Sequence, residues 1–170
     1  MFNRFLKENR YISLILTFCR LYLGWEWLNA GWGKISSGNF DASGFLYGAV
    51  SNMSGEHPSV QPWWGNFLNE FAIPNVQLFN LMVPWGELLV GIGLIFGIFT
   101  PFSILMGLTM NFAYMLSGTT STNPQMALLG LLILSAGMNA SKIGLDRWIM
   151  TALRKLTYKR SDNRKISKVA

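Results

Sequence analysis

The sequence predicts an all-α membrane fold, a polytopic four-helix bundle with amphipathic interfacial helices. Three observations lead to it. The 170 residues are 51% hydrophobic and only 13% charged, against about a quarter charged in a soluble domain. Lysine and arginine are absent from Ile35 to Ser141 and gather at the two ends, at Arg4, Lys7 and Arg10 and from Lys142 to Lys168. Between the ends lie apolar stretches long enough for helical spans, at about 11–30, 76–99, 102–118 and 125–144. The 17 glycines and 7 tryptophans suit close helix packing in lipid and an interfacial belt.

The first span starts near Tyr11 and runs to about Ala30, reaching towards Lys34. Its start imitates a signal peptide, but Arg20 and Glu26 follow directly and no A-x-A-like cleavage site appears, so it reads as a retained span. An outer segment, 40–72, comes next. After Pro62, the residues Trp63, Trp64, Phe67, Leu68 and Phe71 recur at helical spacing beside Asn66, Asn69 and Glu70, which predicts an amphipathic helix that lies in the headgroup region or caps the bundle, with Phe40 to Val50 as a weaker piece of the same kind. Gly55 to Pro58 reads as a turn. The second span carries Pro84 and Glu87, and Thr100-Pro101 marks a tight turn into the third, which carries Asn111. Pro124 is placed to open the fourth. Beyond it, an interfacial helix over 145–156 has an apolar stripe of Leu145, Trp148, Ile149, Ala152, Leu153 and Leu156, with Arg147, Arg154 and Lys155 off it. Residues 1–157 thus form one membrane domain, and 158–170 a basic, disordered cytoplasmic tail.

The basic ends place both termini in the cytoplasm, which requires an even number of spans. Net charge is +6; a membrane surface explains the basic tail more simply than nucleic acid does. Membrane lipid is the expected partner. Cys19 stands alone and no Cys/His cluster exists, so neither a disulfide nor a metal is expected. His57 reads as a solvated turn residue.

Buried charge is the functional signal. Arg20, Gly24, Trp27, Gly31 and Lys34 are spaced four, three, four and three apart and share one helical stripe. Glu26 points about 120° away from Arg20. Counting 1.5 Å per residue from the inner end puts Arg20 about 14 Å deep, Glu87 about 18 Å, Asn111 about 15 Å and Glu26 about 22 Å. The expected pair is therefore Arg20 with Glu87, beside Asn111. Glu26 either pairs with Lys34 or keeps its proton in an apolar setting. Arg20, Glu26 and Glu87 are the catalytic candidates, because intramembrane ionisable residues mark functional sites by default. The competing reading is a structural clasp without chemistry. Trp27, Lys34, Trp85, Asn111 and Tyr114 are the candidates for holding a cofactor, the tryptophans as belt or as walls of an aromatic pocket.

Four pieces of this sequence resemble the DoxX family of small four-span membrane proteins, which includes DoxD-like subunits of thiosulfate:quinone oxidoreductase. They are R-x3-G-x6-G-x2-K (Arg20, Gly24, Gly31, Lys34), G-E-x3-G-x5-G-x2-T (Gly86, Glu87, Gly91, Gly97, Thr100), the MNF…STNP stretch (Met110 to Phe112 and Ser121 to Pro124), and NAxxxGLDRW from Asn139 to Trp148. The resemblance implies a four-helix bundle in a prokaryotic cytoplasmic membrane, quinone as cofactor, and a second redox subunit or a soluble redox enzyme as partner. A homo-oligomer is a further expectation.

Three functions are therefore expected in descending order. The first is a quinone-linked redox subunit in which Arg20, Glu26 and Glu87 handle protons or hold the headgroup. The second is a non-enzymatic membrane scaffold that recruits a soluble partner or anionic lipid through residues 145–170. The third is a small-solute transporter, weakened by the lack of repeats and of paired broken helices.

Overall fold

The computed structural model describes residues 5–7, 9–149 and 151–152. The regular elements among them are all helical. Helix α1 runs Arg10–Ser37, longer at both ends than the stretch read from sequence. Asn9 begins it: its Oδ1 accepts the N–H groups of Tyr11 at 2.8 Å and Ile12 at 3.3 Å. Gly38, left-handed at φ 68°, ends it by donating to the Ile35 carbonyl.

The outer segment folds as two short pieces. Helix α2 is Ser43–Ser51. Helix α3 is Pro62–Phe67 and widens directly into a π turn, Leu68–Ala72. Only part of the stripe expected there is buried. Gly65, Leu68 and Ala72 are buried, while Trp63, Phe67 and Phe71 are exposed. Leu68 and Ala72 pack on Ala42, Leu46 and Ala49 to form a small core separate from the main one. The rings instead make a ladder: Trp64 stacks on Phe67 at 5.2 Å and Phe67 on Phe71 at 5.3 Å. The turn expected at 55–58 is present as bends, with Gly55 at φ 120°.

Helix α4, Val76–Phe96, runs through Pro84 unbroken. Helix α5 is Thr100–Leu116 and α6 is Asn123–Ala136, each with proline in its first turn. The fourth stretch was expected to stay helical to 144. It ends instead at Gly137, φ 57°, followed by a 3₁₀ turn, Gly137–Asn139. The reason is Asn139, whose side chain turns away to donate to the carbonyls of Leu6 at 2.6 Å and Asn9 at 3.1 Å. Helix resumes at 146–149 and 151–152. The rest of the interfacial helix read over 145–156, and the tail 158–170, lie outside the described residues.

Helix α1 packs most extensively along α4, α5 packs on α6 and α4, and α6 returns to α1. The α1–α4 contact is backbone against backbone and antiparallel, with Gly24 beside Gly91 and Ile95, and Gly31 beside Pro84 and Leu88. A Cβ on Gly91 would lie 2.5 Å from the Leu28 nitrogen, and one on Gly31 2.7 Å from the Pro84 oxygen. Inside, Leu16, Leu23, Trp27, Val90, Leu94, Ile104 and Ile133 form the main core. Outside, Leu14, Ile15, Phe18, Leu81, Leu89 and Phe102 are exposed, while Arg20, Glu87, Asn111, Asn139 and Asp146 are buried. Charge inside and bulk apolar side chains outside is the reverse of a soluble fold. By length and composition α4 is the described helix fit to cross a membrane; α5 and α6, at 17 and 14 residues, are shorter than the usual span of about 20.

Candidate functional site

Two polar centres sit at opposite ends of the α1–α4 contact. The outer one is built on Glu87. Its place in the middle of α4 faces α1, and only 1% of its surface is exposed. Burying a carboxylate is costly unless its oxygens are satisfied, and here both are. Lys34, near the end of α1, donates from Nζ to Oε2 at 2.6 Å. Tyr114, on the inward face of α5, donates its hydroxyl to Oε1 at 2.7 Å. Three helices thus meet at one carboxylate.

The outer cap covers this centre with rings. The Lys34 ammonium lies 5.8 Å from the centre of the Phe40 ring, and Phe45 of α2 meets Tyr114 edge-on at 5.9 Å. The cap is held over α5 by a bond from Trp64 Nε1 to Ser117 Oγ at 2.9 Å. It is held to α4 at Asp41 and Asn80: Asp41 Oδ1 accepts from Ser43 Oγ at 2.5 Å and from Asn80 Nδ2 at 3.2 Å, while Ala42 N–H donates to Asn80 Oδ1 at 2.7 Å. The Ser43 hydroxyl and then its backbone N–H hold the Asp41 carboxyl below the ordinary carboxylate range. The Lys34 side chain stays 29% exposed, against 2% for Glu87, so the centre opens towards solvent on its lysine side.

The inner centre is built on Arg20, which is 2% exposed. Its Nη2 donates to the Ile143 carbonyl at 2.5 Å and its Nη1 reaches Thr100 Oγ1 at 3.5 Å. Asp146 sits beside it, accepting the first N–H of α5, that of Thr100, at 2.9 Å. Asp146 N–H donates back to Gly97 at 2.7 Å and Leu145 N–H to Phe96 at 3.1 Å. Segment 140–146 is therefore fastened under the α4–α5 turn. Gly97 has no side chain because Arg20 fills that space.

The expected Arg20–Glu87 pair is not formed. The depth count placed the inner ends of α1 and α4 level, but α1 begins well below the α4–α5 turn, which puts Arg20 beside Gly97 and Thr100. The alternative pairing of Glu26 with Lys34 is also not formed, since the Lys34 ammonium is on Glu87. Glu26 is half-buried, off the Arg20 stripe. Trp85 is 48% exposed and faces outward, as the residue two before Glu87 on a helix must. Trp27 is buried in the main core, its Nε1 beside Gly107. Asn111 is 2% exposed, one turn along α5 from Tyr114, and its Oδ1 has no hydrogen-bond partner. Cys19 is half-buried against the core and His57 is exposed in its loop.

Sequence reasoning missed Phe40 and Phe45, the rings over the outer centre, and the place of Asp146 beside Arg20, since Asp146 reads as part of the NAxxxGLDRW piece and of a surface helix. A usable signal for Asp146 was that it is an acid inside the NAxxxGLDRW piece, while a depth count alone pairs the buried Arg20 with Glu87. Among the described residues no group of three His, Cys, Asp or Glu is placed to hold a metal.

No curated protein and no solved structure matches this chain. The DoxX family model matches residues 15–118, which takes in α1 from Ile15 onward, α2 to α5 whole and all three members of the outer centre, and more than half of the 170 residues. The chain belongs to the DoxX family and is a membrane protein of that type.

Proposed function

We propose that this chain is the membrane subunit of a quinone-linked redox system, of the thiosulfate:quinone oxidoreductase type, with Lys34, Glu87 and Tyr114 as its working centre. The observation that carries the reading is the Glu87 carboxylate, buried among three helices with one oxygen on an ammonium and the other on a phenol. Such a group can give and take a proton inside a membrane without leaving a bare charge there. Packing of α1 on α4, α4 on α5, α5 on α6 and α6 on α1 supports a four-helix bundle. The basic ends support termini on the cytoplasmic side of a prokaryotic cell membrane.

The residues present fit a quinone. Its two oxygens need donors in the oxidised ring and acceptors in the reduced one. Lys34 has N–H groups beyond the one on Glu87 and is a donor; the single Tyr114 hydroxyl proton is on Glu87 and would turn from it to a quinone oxygen; the unpartnered buried Oδ1 of Asn111 is an acceptor on the same face of α5. A bound quinone supplies a two-electron, two-proton acceptor. Lys34 and Tyr114 would hold its oxygens, Glu87 would exchange the proton, and Phe40 and Phe45 would exclude water. Electrons would come from a second redox subunit or a soluble redox enzyme. Replacing Glu87 by Gln is expected to slow thiosulfate-dependent quinone reduction about a hundredfold in membranes that hold the chain together with its electron-donating partner; an unchanged rate contradicts the proton role.

One observation favours a second reading, a non-enzymatic scaffold. Arg20 and Asp146 do no visible chemistry, yet they fix the start of the C-terminal helix at the end of the bundle, where a soluble partner could meet it.

A further inference from the structure

The inner end of the molecule is made from both ends of the chain. Asn139 Nδ2 donates to the carbonyls of Leu6 and Asn9, and Ser13 Oγ donates to the Asn139 carbonyl at 2.8 Å. Arg20 holds Ile143, and Leu145 N–H holds Phe96. Lys7, Arg10, Lys142 and Arg147 each lie within three residues of one of these bonds, and all are exposed. Around them, Phe5, Tyr11, Ile143, Leu145 and Trp148 expose between 45% and 78% of their surface. Two acids are near in sequence: Asp146 is 3% exposed and occupied by the Thr100 N–H, and Glu8, between Lys7 and Arg10, lies outside the described residues; the four cations outnumber them.

We infer that Lys7, Arg10, Lys142 and Arg147 form one binding surface for the phosphate headgroup of an anionic phospholipid. A basic C-terminal helix alone would account for positive charge at this end. It would not account for the bonds through Asn139 that bring N-terminal cations to the same place. Exposed aromatic and aliphatic side chains between the cations suit the boundary of headgroup and acyl chain, where one ligand offers both phosphate and hydrocarbon. This surface is independent of the redox reading and lies at the other end of the bundle from Glu87.

The test is binding of phosphatidylglycerol and, separately, phosphatidylcholine to the full-length protein in a neutral detergent. Wild type is expected to bind phosphatidylglycerol, more weakly as salt rises. At about 1 kcal/mol, or fivefold, per cation, K7Q/R10Q and K142Q/R147Q are each expected to weaken it about 25-fold. K7R/K142R keeps the charge and is expected to bind as wild type, which separates loss of charge from loss of fold. Equal binding of phosphatidylcholine, or full displacement by inorganic phosphate, overturns the assignment to lipid. If only one of the two glutamine pairs has an effect, the surface is not built from both ends.

Discussion

At the scale of single residues, Glu87 and Lys34 are unequal partners. Glu87 is enclosed, whereas Lys34 is 29% exposed on its side chain and can swing its ammonium into water. Lys34→Met leaves a buried carboxylate with only Tyr114 and is expected to cost about 3–5 kcal/mol. Glu87→Gln leaves a lysine that can reach solvent and is expected to cost clearly less; thermal unfolding in detergent gives the order. If Glu87→Gln is the more damaging, the pair is not enclosed as described. The sequence made Arg20, Lys34 and Glu87 stand out, because each charge sits in an apolar helix. It did not make the pairing legible, since that depends on how far α1 slides past α4. The slide that separates the two pairings runs over two turns or more of α1, on which Arg20 and Lys34 stand about 21 Å apart.

At the scale of elements, the slide itself is set by glycines. Lipid offers helices no hydrophobic drive to associate, so close van der Waals approach has to hold α1 to α4. Gly91→Ala drives a methyl into the Leu28 backbone, whereas nothing lies within 4 Å of a Cβ at Gly33. The first is expected to destabilise by about 1–3 kcal/mol or more, and Gly33→Ala to be neutral. Equal effects would show that the contact is loose. Helix positions were readable from apolar runs and their proline and glycine punctuation, as at Pro124 and Gly38. The end of α6 was not, because Asn139 ends it through carbonyls on the N-terminal segment, more than a hundred residues away in sequence. The apolar rings of the segment after Pro62 were legible as one face of an amphipathic helix, whereas its close contact with α2 was not, because the buried residues that make it include the small Ala72 of the π turn.

The cap offers a pH handle at the same scale. Hydrogen bonds from Ser43, then from Asn80, lower the Asp41 pKa. A lowered carboxylate pKa stabilises the folded cap above the unfolded value of about 3.9 and loses that contribution as pH falls through the folded value. The protection of the Ser43 amide, its exchange rate taken against the intrinsic rate at each pH, is expected to fall below about pH 4, and Asp41→Asn to remove that dependence. An unchanged profile in Asp41→Asn would assign the transition to another group.

At the scale of the whole molecule, the chain separates two polar centres that a sequence reading joins. The inner centre ties Arg20, Thr100 and Asp146 to backbone groups and fixes how the chain folds under the α4–α5 turn. The outer centre keeps the Glu87 carboxylate, held by Lys34 and Tyr114, under an aromatic cap, with one edge open at Lys34. Membership of the DoxX family was legible because its motifs fall on the residues that hold the helices together and line both centres. The division of labour was not, because motif spacing records which residues share a face and not which of them touch. The most direct measurement is quinone binding to the purified protein, wild type beside Glu87→Gln, Tyr114→Phe and Arg20→Lys. Binding lost in the first two and kept in Arg20→Lys is the predicted result. Binding that is indifferent to Glu87 and Tyr114, or absent from the wild type, would contradict the outer centre as the site of redox chemistry.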